Sequence, residues 1–519
     1  MDPKLLEARL RLGLVAVLGV VGAVVLGVYI GSSEWVSVVA LFGAAFVAAL
    51  VLRMQSYVWV FVPLAWFLTG RLGFLPLPFS IRELAVLLAV AVFLTLAALR
   101  GLPLRTRVTA LDLLLYLNLA YVAFVYTRHP VGVAAVGSSM VGGRPYFDAL
   151  IGFLAYLVLS RSRMGPKLAL RLPALAVIPA ALVSLLGLVG YLFPGTLPYI
   201  AYFYGGIDVS SYFRDVNPSG SEDESASRIF DLATGARAGG LALASYFDPF
   251  SLLNPLRPAR CLGFLACFAA MGLAGFRNGI LFLVCVFALS AFVRHGFSFS
   301  KLVQLGAILG LMLLLLCGLQ TKGVHLPVNV QRALSFLPGK WDAEAVSDAE
   351  GSVDWRVYMW RTALSTSDFI KDKIFGDGFG FSAYELSIME AGENFIGHES
   401  QEVFMIQGAF HSGPISAIRF VGVVGLALYL ALILYLAVRG FGILRATAGS
   451  PYFPVAMLAA LPALYEPFQY VFVFGSYDSG LPTTLFTCGL FKLVENNFAG
   501  WSRLRAPQAT VTSFEHSVT

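Results

Sequence analysis

Of the chain's 519 residues, 58% are hydrophobic and only 13% charged, and the mean hydropathy is +0.78. Soluble domains are roughly half apolar and a quarter charged, so this balance excludes a water-soluble globular protein. The net charge of +6 sits in short basic clusters between apolar runs, not on one face or tail, which makes the clusters topology signals and excludes a nucleic-acid partner.

Apolar runs long enough to cross hydrocarbon recur from Leu12 to Ile30, Ser37 to Leu52, Leu84 to Leu99, Leu302 to Leu319 and Ile415 to Val438, among others. They are too many for a signal peptide plus an anchor. The predicted fold class is all-α: a polytopic helical membrane protein with about 12–14 transmembrane helices and a large loop on the non-cytoplasmic face containing amphipathic helices. Lys4, Arg9 and Arg11 put the N-terminus in the cytoplasm, and basic groups recur at alternate boundaries: Arg53, Arg100 to Arg107, Arg161 to Arg171, Arg257 with Arg260, Arg294 with Lys301, Arg439 with Arg445, and Arg503 with Arg505. Both ends are then cytoplasmic. The division expected is an N-terminal bundle over 1–319 with a loop at about 194–236, a large loop over 320–412, further spans over 413–499 and a tail over 500–519.

The first long loop includes SYFRDVNPSGSEDESASR and reads as solvated; its Glu222, Asp223 and Glu224 lack ligand spacing, so no metal is expected there. The five cysteines, Cys261, Cys267, Cys285, Cys317 and Cys488, lie in apolar segments without a CxxC pair and read as buried free thiols. The loop from Gln320 to His411 spans about 90 residues, a length that is usually functional or disordered. Within it Val353, Val357, Trp360 and Leu364 are spaced four, three and four apart, which predicts an amphipathic helix with Arg356 and Arg361 flanking its apolar stripe. Either arginine can clamp a phosphate or simply solvate its face of the helix, and geometry alone does not say which points into a site. A GDGFGF turn with Gly376, Gly378 and Gly380 follows.

Of six histidines, His411 stands out: HSGPISAIRFVGVVG places it before a span starting near Pro414, with Ser412 as N-cap. A helix N-terminus attracts phosphates and holds a nearby imidazole in the neutral form that a general base requires. Arg277, in AGFRNGILFL, falls between two spans at the membrane surface, and Arg228 opens RIFDLATGARAGG; arginine near hydrocarbon marks an anion, a partner or a snorkelling anchor. Gly422 and Gly425, one turn apart inside a span, read as packing residues.

Together these stretches resemble the O-antigen ligase and polymerase superfamily of bacterial envelope glycosyltransferases. His411, Ser412, nine residues, Gly422, two residues and Gly425 are similar to the ligase signature. AGFRNGILFL resembles the family's arginine stretch, although Phe276 and Asn278 stand where small residues are usual. WRVYMWRTAL with FGDGFGF resembles the large periplasmic loop, and RIFDLATGARAGG is similar to a stretch before a span. The order is that of the family, over roughly the last 300 residues, with false matches to single motifs expected.

The resemblance implies metal-independent, inverting transfer of a glycan from undecaprenyl pyrophosphate to an acceptor hydroxyl, without a cofactor, at the periplasmic face of the inner membrane. It implies His411 as base, with Arg277, Arg356, Arg228 and Arg361 on the pyrophosphate. The segment before His411 is long, which leaves His398 open as a sharer of that role. A lipid A-core acceptor makes a ligase; a second lipid-linked repeat makes a polymerase. A transporter of the same lipid-linked sugar is the rival of another class, with Asp112, Asp148 and Asp248 as its candidate ionisable groups.

Overall fold

A computed structural model describes residues 53–505 apart from 75–77, 101–107, 133–139, 208–228, 297, 323–325, 336, 383–384, 386 and 388–402. The described chain is mostly helical: α1 (Ile81–Arg100), α2 (Ala110–Arg128), α3 (Arg144–Arg161), α4 (Pro166–Leu192), α5 (Phe230–Tyr246), α6 (Pro258–Leu273), α7 (Arg277–His295), α8 (Phe299–Thr321), α9 (Val328–Leu334), α10 (Ala343–Ser365), α11 (Gly413–Thr447), α12 (Phe453–Phe468) and α13 (Tyr477–Arg505), with a few shorter turns. Six helical segments are long and apolar enough to cross a membrane: those of α1, α2, α4, α7 and α11, and α12 with its π-helical continuation to Val473. The protein is therefore a helical membrane protein. Only in spanning helices are all backbone groups satisfied within one segment.

Its core lies where α13 packs along α3, α5 along α4, and α11 along both α12 and α2. At one end of the bundle a polar knot ties three helices. Thr109 and Asp112 form a capping box at the start of α2, and the buried Asp112 carboxylate also takes Lys492 Nζ of α13 at 2.7 Å and the Tyr156 hydroxyl of α3. A buried pair persists only with such additional hydrogen bonds. Asp148 is likewise engaged, by Arg82 at 3.4 Å and Arg144 at 3.6 Å, and Asp248 caps a short helix and meets His295 Nε2 at 3.0 Å.

At the other end, the chain between α8 and α11 folds over the bundle. The expected helix exists as α10, but its buried side differs from the predicted stripe. Met359 and Ala363 are buried, with Trp355 and Trp360 packed beside them against Phe404, Phe410 and Ile415, whereas Val357 and Leu364 are exposed. The two tryptophans bury more apolar area than the aliphatic residues of the spacing-derived stripe, and they set the helix's rotation. After α10, the GDGFGF turn leads into β2 (Phe381–Ser382), which pairs antiparallel with β1 (Met140–Val141) in the register Met140 to Ser382 and Val141 to Phe381.

The reading of Gly422 as a mere packing residue is corrected. Gly422 has φ +68 and ψ −179, so α11 is two helices joined across a break; Gly425 does pack, against Tyr121 and Val421. The turn before β2 fills the break. Asp377 N and Gly378 N donate to the carbonyls of Arg419 and Phe420, while Val423 N and Val424 N donate to those of Lys373 and Ile374. Peptide groups freed by the break thus find partners, as buried backbone must. Gly376, at φ +86, lies so close that an added Cβ would sit 2.5 Å from Gly422 N, and a Cβ on Gly422 would sit 2.1 Å from Ile374 O.

Replacing Gly422 with Ala should therefore cost about 3 kcal/mol, from left-handed strain together with overpacking. Gly442→Ala, whose Cβ would meet nothing within 4 Å, should stay within about 1 kcal/mol of wild type. Thermal unfolding of the detergent-solubilised protein distinguishes the two; equal stability of both variants would contradict the clasp.

Candidate functional site

The site is assembled where α11 begins. Phe410 is buried and its carbonyl accepts a hydrogen bond from Trp360 Nε1 at 2.7 Å, which fixes the chain before it enters the helix. Ser412 occupies the N-cap position without a side-chain cap bond, and the helix starts at Gly413 with Pro414 in its first turn. Between them His411 takes φ +52, the sole non-glycine residue with positive φ among the described residues. Such a conformation is uncommon outside glycine and costs of order 1–3 kcal/mol, and it recurs at functional sites.

This backbone turns the imidazole into an aromatic bracket. Its centroid lies 5.3 Å from Trp355 of α10, 5.6 Å from Phe404 and 5.2 Å from Phe474, which stacks at 30° and follows the turn after α12. His411 is half-buried. It thus touches the overlying loop and the bundle together, beside the partial positive charge of a helix N-terminus.

The predicted arginines fall in different places. Arg356 is half-buried on α10, next in sequence to Trp355. Arg277 is the first residue of α7; its Nε donates to Arg332 O at 2.9 Å and its Nη2 to Ser335 Oγ at 3.2 Å. It therefore holds the end of α9, which packs on α10, and two of the five N–H groups of its guanidinium are committed there. Direct contact brings α10 onto His411, while Arg277 joins the assembly through α9. Arg361 is exposed, on a side of α10 turned away from the buried residues. Arg228, His398 and the Glu222 to Glu224 run lie outside the described residues. Among the described residues no group of three His, Cys, Asp or Glu side chains is placed to hold a metal ion.

One ion pair and one half-buried arginine escaped the sequence reading. Arg419 of α11 is buried and gives Nη1 to Asp377 Oδ2 at 3.0 Å, joining the glycine turn to the helix. Arg237 of α5 lies over the Phe282 ring of α7 at 5.7 Å, has Nε buried without a hydrogen-bond partner among the described residues, and is within electrostatic reach of Glu466 on α12. Arg237 is seven residues from the start of α5 and Glu466 seven from Val473, so both sit about 10 Å beneath the end that carries His411. The signal was present: an ionisable residue inside an apolar run is a functional candidate by default. Arg237 belongs to the RIFDLATGARAGG stretch in which only Arg228 was singled out.

The glycine turn has its own electrostatic lock. Asp372 accepts the amides of Ile374 at 3.0 Å and Phe375 at 2.9 Å, and Arg128 Nη2 at 2.9 Å. The Phe375 amide and then the Arg128 guanidinium hold its carboxyl below the ordinary carboxylate range. In comparisons with known proteins, no family model and no curated protein matches the chain.

A carboxylate with a depressed folded pKa stabilises above its unfolded value, and that contribution disappears as pH falls through the folded one. Wild type should accordingly exceed Asp372→Asn by about 1 kcal/mol, the usual worth of a capping carboxylate, at neutral pH. The gap should close progressively below about pH 4, the unfolded aspartate value. Melting temperatures of both forms against pH test this, and a gap that widens on acidification would contradict it.

Proposed function

We propose that the protein is a membrane glycosyltransferase that moves a glycan from undecaprenyl pyrophosphate to an acceptor hydroxyl. In this reading the loop between α8 and α11 is periplasmic, the membrane is the bacterial inner membrane, and the full chain has about 12–14 spans with both ends cytoplasmic. The observation that carries it is His411, held at positive φ at a helix N-terminus between the loop's Trp355 and the bundle's Phe474. Strain of this kind persists only where its surroundings enforce it, and it marks sites where a side chain must be aimed.

The chemistry needs two things. The acceptor hydroxyl must lose its proton, and an imidazole at His411 takes it. As the new bond forms at the anomeric carbon, the carbon–oxygen bond to pyrophosphate breaks and undecaprenyl pyrophosphate leaves with the electron pair. Attack opposite that bond inverts the carbon. The departing anion needs fixed cations and N–H donors more than a proton. Arg356, beside Trp355, and the Arg277 guanidinium at the start of α7 supply them, with Arg228 and Arg361 as lesser partners. Arg237, within electrostatic reach of Glu466, lies on the path by which a lipid-linked anion leaves hydrocarbon for the site.

A ligase with a lipid A-core acceptor is favoured over a polymerase of lipid-linked repeats by the His411 signature. The transporter reading loses its candidates Asp112, Asp148 and Asp248 to caps and ion pairs. Among the described residues it keeps Arg237, within electrostatic reach of Glu466.

His411→Gly is the sharpest variant. It removes the imidazole and relieves the left-handed backbone, so the fold should be as stable as wild type while transfer falls by at least about a hundredfold. Glycan transfer by membranes from a deletion strain complemented with the variant, normalised to folded protein, reads this out. Activity retained within a fewfold of wild type would overturn the assignment.

A further inference from the structure

The end of the bundle remote from His411 carries a second feature that catalysis does not use. A cleft of about 670 Å³ opens between the last turn of α7, the last turns of α11 and the first turn of α12. Its walls include Phe292, Phe441, Leu444 and Phe453, and its polar groups include Arg294 and Arg445, with no carboxylate among the lining residues. The volume lies within the range of small-molecule sites.

The two guanidiniums are positioned differently. Arg294 is fixed: Nη2 donates to Ala244 O at 3.1 Å and Ser245 O at 2.8 Å, Nε to Ser290 Oγ at 3.4 Å, and the group lies 5.1 Å over the Phe453 ring. Its Nη1 makes no hydrogen bond among the described residues. Asp248, the carboxylate near Arg294, is held by His295. Arg445 is exposed and lies 4.2 Å over the Phe441 ring, with no carboxylate partner among the described residues. Phe441 in turn stacks on Phe292 at 6.0 Å. One cation is thus rigid and one is adaptable, above an aromatic floor.

Depth identifies the occupant. Arg445 follows Gly422 by 23 residues, about 35 Å of helix, against a hydrocarbon core of about 30 Å. With the Gly422 break near one face of the membrane, Arg445 reaches the headgroup level of the other. We propose that this cleft binds an anionic phospholipid, its phosphate between Arg294 and Arg445 and its upper acyl chain against Phe292, Phe441 and Leu444. Basic pockets between spanning helices at this level select anionic headgroups.

The test is native mass spectrometry of the purified full chain in detergent, titrated with phosphatidylglycerol or with phosphatidylcholine of the same acyl chains. Wild type should retain one phosphatidylglycerol in preference to phosphatidylcholine, and inorganic phosphate in excess should not displace it. Arg445→Ala should weaken retention about fivefold and Arg445→Glu about 25-fold, at roughly one basic residue's contribution per step. Arg294→Gln should weaken it as well. Should that variant fail to fold, Arg445→Glu decides alone, since its side chain is exposed. Equal retention of both lipids, no effect of Arg445→Glu, or displacement by phosphate, which would mark a site for free anions, would each overturn the proposal.

Discussion

The arrangement of the functional end depends on one backbone event, the break of α11 at Gly422 and its repair by the turn from Lys373 to Gly378. An interrupted helix in or near hydrocarbon leaves peptide groups without partners, at a cost of several kcal/mol each. Here four amide-to-carbonyl bonds cross between turn and helix, and the Asp377 to Arg419 pair lies beside them. Two glycines at positive φ, Gly376 and Gly422, let the strands of backbone approach where any side chain would collide. The loop is therefore built into the helix it covers and is no appended domain.

From that clasp the rest follows in order. The first part of α11 is set apart from the spanning part, so its N-terminus and His411 stand over the bundle. The turn positions α10 through Lys373, whose Nζ caps the carbonyls of Leu364 and Thr366 at 2.8 and 3.0 Å. Helix α10 then presents Trp355 to His411 and Trp360 to the Phe410 carbonyl. On the outside, Ile374 and Phe375 are exposed next to the exposed Val423 and Val424 of the second part of α11, so the turn and the helix it repairs present apolar side chains on the same side.

Much of this was legible in the sequence, for physical reasons. Long apolar runs can be satisfied in few ways, so the helical membrane fold showed in composition alone, and the start of α11 was visible from Ser412 and Pro414 ahead of the apolar run from Ile415 to Val438. The existence of α10 followed from periodicity. Its rotation did not, because the buried face centres on Met359 and Ala363 with Trp355 and Trp360 beside them, and the partners Phe404, Phe410 and His411 come from a distant segment. The break at Gly422 was hidden because glycines inside an apolar spanning run ordinarily serve close helix packing; only the docking of GDGFGF makes a left-handed glycine there favourable. Arg237 and Glu466 were visible as ionisable residues in apolar runs, but their coming within electrostatic reach of each other is a product of how α5 and α12 pack.

Purified protein reconstituted into liposomes with a radiolabelled glycan on undecaprenyl pyrophosphate and an acceptor glycolipid puts the central claim to its most direct test. The account predicts that label moves covalently onto the acceptor, with free undecaprenyl pyrophosphate released in equal amount. Label that crosses the bilayer while still attached to its original carrier, with no acceptor product, would contradict it.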